Sequence, residues 1–365
     1  LELLIGMVMK NILFYINTLE NGGAERAICN TASYFAEHDW KVILLTSYRV
    51  EKEYTYSDKI QRVIIEQTRT NDSAVRRNLN RIKAIRKICK DYKIDIAVSF
   101  MREPNFRLVL ATWGIKTKAV ISVRNDPNRE YSGTVGRVVG KILLPCADGA
   151  VFQTEDAKRW FPQKLQKKAK VIYNVVASKF FETTYCGEHD IITVGRISPQ
   201  KNHTMLIKAF EKVHEKFPEE RLVICGRTQT EMGIEELIKN LKLEDSVILL
   251  GQRDNVPEIL SKAKLFVLSS DYEGMPNALM EAMAVGVPSV STDCPCGGPK
   301  ELFGKKLETL LTPVGNIDAL ADKMISLLEN DKERENIGKE LKQRAQLFRV
   351  DDVGQKWIDY IESLF

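Results

Sequence analysis

The sequence predicts an α/β protein built from two doubly wound domains. Short apolar runs alternate with helical stretches along the chain, and this alternation restarts after a polar segment at residues 182–187. Strands that alternate with helices in this way are typical of βαβ units and parallel sheets. The length of 365 residues also fits two domains of ordinary size.

Each series of apolar runs predicts one sheet. The expected strands of the first domain are residues 11–17, 41–46, 94–100, 119–123 and 149–153. Those of the second are residues 190–194, 221–225, 246–250, 264–268 and 288–291. We therefore expect domains at residues 1–180 and 181–348. A last helix at 349–365 has an apolar face that needs a groove to cover it.

Composition narrows the class of protein. Charged residues make up 28% and hydrophobic residues 44% of the chain, which is a globular composition. No run of eighteen apolar residues occurs, so we expect no membrane-spanning helix. Seven cysteines without a disulfide rhythm indicate a reducing, cytoplasmic compartment.

Two glutamates flank the start of a predicted helix in the second domain. Residues 265–270 read as a buried strand and residues 278–285 as a helix, so Glu273 falls on the connecting loop and Glu281 about two turns into the helix. Ligands of open α/β sheets bind outside the carboxyl ends of the strands. Carboxylates there suit a hydroxyl-rich ligand, because each accepts hydrogen bonds from two hydroxyls.

Cations and glycines follow two other predicted strands. Arg196 and Lys201 precede a helix at residues 203–216, which favours a diphosphate site over two solvated surface cations. Gly22 and Gly23 join the first strand to the first helix. They allow a phosphate to approach the backbone, or they form a simple tight turn. The full glycine fingerprint of dinucleotide-binding proteins is absent.

In their order and spacing, these three motifs resemble the family 4 glycosyltransferases, a retaining family with the GT-B fold. Residues 171–175 and 293–301 are similar to further segments of that family, so the resemblance covers essentially the whole chain. It implies two Rossmann-like domains that face each other across a cleft, with the C-terminal helix returning to the N-terminal domain. The first domain would bind the acceptor and the second the nucleotide sugar.

The resemblance also implies the role of each site residue. Arg196 and Lys201 would stabilise the charge that grows on the donor diphosphate, and Glu273 would act with them at the sugar. Glu281 would bind the ribose hydroxyls. The full set of donor ligands implied is Gly22, Gly23, Arg196, Lys201, Arg253, Glu273, Gly274, Met275, Pro276, Asn277 and Glu281.

The same resemblance predicts the reaction. A hexose or N-acetylhexosamine would pass from a UDP-sugar to a saccharide acceptor, with retention of configuration and with the leaving phosphate taking the acceptor proton. The acceptor would be linked to a lipid diphosphate, in the synthesis of a surface polysaccharide or glycan. No cofactor and no metal are expected, because the chain contains no Asp-x-Asp and the Cys294-x-Cys296 pair is too small a ligand set.

One loop departs from the family pattern. Many members place a histidine of the first domain near the donor sugar, whereas this chain has Arg124, Asn125 and Asp126 after the strand at 119–123. These residues would contact the acceptor or the sugar. The alternative is a turn organised by the Asn-Asp-Pro sequence.

A basic amphipathic helix is predicted at residues 74–93. Leu79, Ile82 and Ile85 would pack on the first sheet. Residues 60–141 hold 18 Lys/Arg against 7 Asp/Glu, an excess of 18 − 7 = 11, so we expect a peripheral protein on the inner face of the cell membrane and no nucleic-acid partner. The cations expected at anionic lipid are Arg76, Arg77, Arg81, Lys83, Arg86, Lys87 and Lys90.

Two other functions fit the same architecture. An epimerase or hydrolase of sugar nucleotides would need an added acid–base cluster in the site, which the sequence does not supply. A sugar-nucleotide-binding module without activity would have no need of the four charged residues Arg196, Lys201, Glu273 and Glu281. The sequence leaves the sugar, the linkage and the oligomeric state open.

Overall fold

The chain forms two compact units, each built on one parallel sheet. The computed structural model describes residues 10–20, 22–66, 73–227 and 233–365. The first unit runs to Val175 and includes Val350–Phe365, and the second is Val176–Arg349. Within the described ranges, no helix combines the length and the apolar composition that a bilayer crossing requires.

The first sheet has seven strands in the order β3-β2-β1-β4-β5-β6-β7, and each neighbouring pair is parallel. The strand order reverses between β1 and β4, as in doubly wound folds. The strands are Asn11–Ile16 (β1), Lys41–Thr46 (β2), Gln61–Ile64 (β3), Ile96–Phe100 (β4), Lys118–Ser122 (β5), Gly149–Phe152 (β6) and Ala169–Val171 (β7).

Helices cover both faces of this sheet, and its apolar central strands are therefore buried on both sides. The helices of the first unit before residue 176 are Gly23–Glu37 (α1), Ala74–Asp91 (α2), Arg102–Thr112 (α3), Pro127–Glu130 (α4), Gly133–Val138 (α5), Glu155–Arg159 (α6) and Gln163–Gln166 (α7). After α5 the chain continues as a π-helical turn, Val139–Leu143, and a 3₁₀ turn, Leu144–Cys146.

The second sheet has six strands in the order β10-β9-β8-β11-β12-β13, again all parallel. Its order reverses between β8 and β11. The strands are His189–Val194 (β8), Leu222–Cys225 (β9), Val247–Gly251 (β10), Ala263–Leu268 (β11), Ser289–Thr292 (β12) and Leu311–Thr312 (β13).

The helices that follow Val176 belong to the second unit, except the last. They are Ser178–Glu182 (α8), His203–Lys216 (α9), Ile234–Asn240 (α10), Val256–Lys262 (α11), Asn277–Val285 (α12), Gly298–Phe303 (α13), Ile317–Leu328 (α14), Asp331–Ala345 (α15) and Val350–Glu362 (α16). Helix α16 packs against α1, and Trp357 and Ile361 are buried in the core between the first sheet and these helices.

The division between the units lies before the expected boundary at residue 180. Phe180 is buried within α8, and α8 packs against α12 of the second unit. The backbone N–H of Val176 donates to the carbonyl of Phe348 at 2.9 Å. These contacts tie residues 176–182 to the second unit, although their sequence carries no sharp break.

Helix α2 differs from its prediction on both faces. Ile85 and Cys89 are buried as an apolar stripe requires, but Leu79 is 52% exposed. Arg81, expected on the solvated face, is 6% exposed, and its guanidinium donates to both carboxylate oxygens of Glu66, at 2.6 and 2.8 Å. The bidentate partner stabilises the buried charge at a position where the sequence pattern suggested solvent.

Arg86 of α2 also turns inward. Its guanidinium donates to the backbone carbonyls of Ala111 and Trp113 at the end of α3, at 2.9 and 2.6 Å. The exposed cations of the helix are Arg76, Lys83, Lys87 and Lys90. The predicted basic face therefore exists, but without Arg81 and with Arg77 and Arg86 only partly exposed.

Candidate functional site

The candidate donor site lies at the carboxyl ends of β8 and β11. These two strands are neighbours at the point where the order of the second sheet reverses. In open α/β sheets, that position is where ligands bind. Arg196 and Lys201 follow β8, and Glu273 follows β11, so the topology brings together residues that are more than seventy positions apart in sequence.

An ion pair joins two of the predicted site residues. The Lys201 ammonium lies 2.5 Å from Oε1 of Glu273. The Lys201 side chain is 20% exposed and that of Glu273 is 9% exposed, so the pair is shielded yet reachable from solvent. In such a setting a charge interacts more strongly with a ligand than it would in bulk water.

Two residues that were not predicted to belong to the site, Ser270 and Gln200, form hydrogen bonds with Glu273 of this pair. The hydroxyl of Ser270 donates to Oε1 of Glu273 at 2.8 Å, and the amide of Gln200 donates to Oε2 at 3.4 Å. The Ser269 hydroxyl donates to the carbonyl of Lys201 at 2.9 Å. The serines were predicted as strand, but β11 ends at Leu268. The sequence feature that could have identified Ser269 and Ser270 as site residues is their position directly after an apolar strand.

The loop that carries Lys201 is fixed from both sides. Asn202 adopts a left-handed conformation with φ of 46°, and its side-chain oxygen accepts from the N–H of Met205 as the N-cap of α9. Its amide donates to Asp271 at 2.7 Å. The N–H of Asp271 in turn donates to the carbonyl of Gln200 at 2.8 Å. This network holds the loops after β8 and β11 together.

The segment from Gly274 to Asn277 leads into the N-terminus of α12. Met275 is buried, and Pro276 is the N-cap residue without a side-chain cap. Behind this turn, a Cβ on Gly298 would come within 2.1 Å of the Gly274 carbonyl. The close approach explains why the loop after β12 needs glycine there. A helix N-terminus at this place favours an anionic group.

The remaining predicted residues of the second unit lie along the same carboxyl edge of the sheet but differ in their exposure to solvent. Arg196 is exposed at the end of β8, and Glu281 is buried about one turn into α12 rather than the expected two. Arg253 is exposed beyond β10, and β9 separates its strand from β8. Two strand spacings correspond to roughly 10 Å, so Arg253 stands at the periphery of this edge.

Two buried titratable residues lie beside the ion pair. Burial lowers the pKa of His203 to about 4, and the Lys201 charge adds to this effect, so the imidazole is neutral near pH 7. Burial also raises the pKa of the Cys294 thiol, and the Glu273 carboxylate acts in the same direction. Among the described residues, no group of three or more His, Cys, Asp or Glu has a geometry that could hold a metal.

The predicted residues of the first unit are less available than expected. Arg124 donates to Asn174 at 2.9 Å, and its guanidinium lies 4.0 Å from the Phe100 ring centroid and 5.6 Å from that of Trp357. Burial lowers the pKa of Arg124 to about 9. These contacts direct the Arg124 side chain into the first unit.

Asp126 and Gly22 occupy helix starts. Asp126 is buried and accepts from the N–H of Asn128 at 3.0 Å, as the N-cap of α4, which supports the Asn-Asp-Pro turn. Asn125 caps the same turn by accepting from the Asp126 N–H at 2.9 Å. Gly22 is the N-cap of α1 in an extended conformation and offers no side-chain cap, and Gly23 begins the helix.

Two models of known protein families together match almost the entire chain. Residues 21–179 match the model described as Glycosyltransferase Family 4, and residues 177–344 match the model described as Glycosyl transferases group 1. The chain belongs to glycosyltransferase family 4. The family and the two-domain α/β fold of the GT-B class expected from the sequence are thereby confirmed.

Relatives of this glycosyltransferase match it over nearly their full length. One, from Campylobacter jejuni, is a GalNAc-α-(1→4)-GalNAc-α-(1→3)-diNAcBac-PP-undecaprenol α-1,4-N-acetyl-D-galactosaminyltransferase, 27% identical over 98% of this chain and 99% of its own. A second from the same organism is an N-acetylgalactosamine-N,N'-diacetylbacillosaminyl-diphospho-undecaprenol 4-α-N-acetylgalactosaminyltransferase, 26% identical over 97% of this chain and 100% of its own.

Solved structures share the fold at lower identity. Anabaena HepE in complex with UDP has a TM-score of 0.79 at 18% identity, covering 97% of this chain and 100% of that one. Sucrose-phosphate synthase from Thermosynechococcus elongatus has a TM-score of 0.83 at 17% identity, covering 98% of this chain and 99% of that one.

Proposed function

We propose that this glycosyltransferase moves a hexose or N-acetylhexosamine from a UDP-sugar to a saccharide carried on a lipid diphosphate. The observation that carries the proposal is the Lys201–Glu273 ion pair at the reversal point of the second sheet, with Arg196 on the same loop. Diphospho-undecaprenol stands in the names of two full-length relatives, which supports the lipid-linked acceptor.

The proposed chemistry depends on charge. As the bond between the anomeric carbon and the donor phosphate breaks, negative charge grows on the diphosphate, and Arg196 and Lys201 stabilise it. The acceptor hydroxyl oxygen bonds to the anomeric carbon on the same face, and its proton passes to the leaving phosphate oxygen. Configuration is retained. The two cations take the electrostatic role that a metal has in other transferases, so we propose a reaction without a metal ion.

Glu273 and Glu281 hold the sugar and the ribose in this proposal. Glu273 releases part of its contact with Lys201 when the diphosphate arrives, and accepts hydrogen bonds from sugar hydroxyls instead. Glu281, about one turn along α12, accepts from the ribose diol. The exposed cations of α2 bring the enzyme to anionic lipid on the cytoplasmic side, where the acceptor is held.

A radiolabel assay tests the function directly. Purified full-length enzyme is incubated with labelled UDP-GalNAc, UDP-GlcNAc or UDP-glucose and a bacterial lipid extract, with and without EDTA. We expect label in the organic phase with one of these donors and an equal amount with EDTA. Label released as free sugar would indicate a hydrolase, and no conversion of any donor would contradict the proposal.

A further inference from the structure

The exposed apolar side chains are concentrated on one layer of the first unit. The described residues expose ten large apolar side chains, and six of them belong to α2, the end of α3, or α5 and the turn that follows. These six are Val75, Leu79, Trp113, Val135, Val138 and Ile142. A single exposed apolar residue is unremarkable, but a group on one surface indicates an interaction site.

Three of the six form a ridge on one helical segment. Val135, Val138 and Ile142 are 72%, 50% and 67% exposed and follow each other at three and four positions, within α5 and the π-helical turn Val139–Leu143. This spacing places them on one side of a helix. We call these three residues the apolar ridge.

The opposite side of this segment is fixed to the body of the unit. A Cβ on Gly136 would come within 2.6 Å of the Tyr131 carbonyl carbon and oxygen, and one on Gly140 within 2.7 Å of the Trp160 ring. Both glycines are buried. The ridge is therefore held outward by close packing beneath it.

The charged residues of the segment that carries the ridge are of one sign. Residues 131–147 contain Arg137 and Lys141 and no Asp or Glu. Lys141 lies over the Trp160 ring, with its ammonium 3.7 Å from the centroid. An apolar helical face flanked by cations and tryptophan is the pattern of a helix that lies in the interface of an anionic bilayer.

The ridge shares its layer with the basic helix α2. Helix α3 packs against α2 on one side and against the segment Val139–Cys146 on the other. Arg86 of α2 bonds to the carbonyl of Trp113, which is 67% exposed. The cations of α2, the Trp113 indole and the apolar ridge therefore lie on one side of the first sheet.

We propose that the apolar ridge inserts into the interface of a lipid bilayer and anchors the enzyme there. This goes beyond the proposed function, for which attraction of the α2 cations to anionic lipid is sufficient. Membrane binding that depends on electrostatic attraction alone is lost at high salt. Binding through apolar side chains buried in the bilayer persists at high salt and does not require anionic lipid. The two contributions can thus be separated.

Vesicle co-sedimentation tests the inference with the full-length enzyme. The variant Val135→Ser/Val138→Ser/Ile142→Ser should bind vesicles of phosphatidylcholine with about 30% phosphatidylglycerol at least ~10-fold more weakly, at low and at high salt alike. The variant Lys83→Gln/Lys90→Gln should weaken binding at low salt and leave the high-salt binding unchanged. The exposed positions make a loss of folding unexpected, and thermal unfolding verifies this.

The matched control is Val314→Ser/Leu347→Ser, which removes two exposed apolar side chains from the second unit, 38% and 41% exposed. It should bind vesicles as the parent enzyme does. Unchanged binding of the ridge variant, or no vesicle binding by the parent enzyme, would overturn the inference. A parent dimer that the ridge substitutions convert to a monomer, with vesicle binding intact, would assign the ridge to a second copy instead. An enzyme that binds vesicles through the ridge but transfers no sugar would overturn the proposed function alone.

Discussion

Two lysine–glutamate pairs lie near opposite ends of the same strand, and they differ in what surrounds them. At the carboxyl end of β11, Lys201 meets Glu273, and near its amino end, Lys264 meets Glu220. Their burial is similar, with side chains 20% and 9% exposed in the first pair and 28% and 6% in the second. Burial and pairing alone therefore do not distinguish a binding site from a structural contact.

The neighbours of each pair make the distinction. Glu273 also accepts from Ser270 and Gln200 and lies just before the N-terminus of α12. For Glu220, Lys264 is the side-chain partner that the described residues show. A pair that is supported by further donors can exchange one partner for a ligand, whereas removal of the partner from an otherwise unsupported buried carboxylate destabilises the fold.

The largest effect should follow removal of the cation at the carboxyl end. We expect Lys201→Ala to lower the rate of sugar transfer by ~10²–10³-fold, because a charge that stabilises the transition state is lost. Glu273 keeps its bonds to Ser270 and Gln200, so the free energy of unfolding should change little. Initial rates with the labelled donor and urea unfolding measure the two quantities. A rate within threefold of the parent enzyme would remove Lys201 from the site.

The second largest effect should appear at the amino end, in stability. We expect Lys264→Ala to lower the free energy of unfolding by about 2 kcal/mol, because Glu220 remains buried without its cation. The rate per folded molecule should stay within about twofold of the parent, since this end of the strand faces away from the proposed donor site. If both lysine variants lost activity equally, the contrast between the two ends would be wrong.

A third carboxyl group, that of Glu130 in the first unit, extends the contrast to a group for which the described residues show no ion pair. Burial raises the pKa of Glu130 to about 8, and the backbone N–H of Arg102 opposes this only in part. The folded protein then holds a proton that the unfolded chain releases near its ordinary pKa of 4.5. Its folded pKa lies above its unfolded pKa, so the protein loses stability as the pH rises from about 5 to 8.

The variant Glu130→Gln lacks this titration. Its free energy of unfolding should therefore increase relative to the parent as the pH rises through this window, with a slope of at most ~1.4 kcal/mol per pH unit. Urea unfolding of both proteins at pH 5, 6.5 and 8 measures the difference. A constant difference across the three values would show that Glu130 is ionised in the folded state.

The central strands could be predicted from the sequence because they are apolar throughout. The ten predicted strands all occur, with bounds that differ by at most two residues. The strands β3, β7 and β13 were not predicted, and all three lie at sheet edges. β3 and β7 are exposed or half-buried along their length, and β13 has two residues, so none of the three gives an apolar run.

The positions of the site residues could be predicted, but their partners could not. The order of strands and helices placed Arg196, Lys201 and Glu273 at strand ends, and the structure agrees. Whether a given cation is accessible to a ligand depends on its tertiary contacts. Arg81 is held by Glu66, and Arg124 is directed towards Phe100 and Asn174, and no local pattern in the sequence announces either contact.

A crystal structure of the full chain grown with UDP tests the central claim most directly. We expect the diphosphate within hydrogen-bonding distance of Arg196 and Lys201, and the ribose hydroxyls at Glu281. We also expect the Lys201–Glu273 distance to exceed its present 2.5 Å. UDP bound elsewhere, with the Lys201–Glu273 pair closed and Arg196 still in solvent, would contradict the assignment of the donor site.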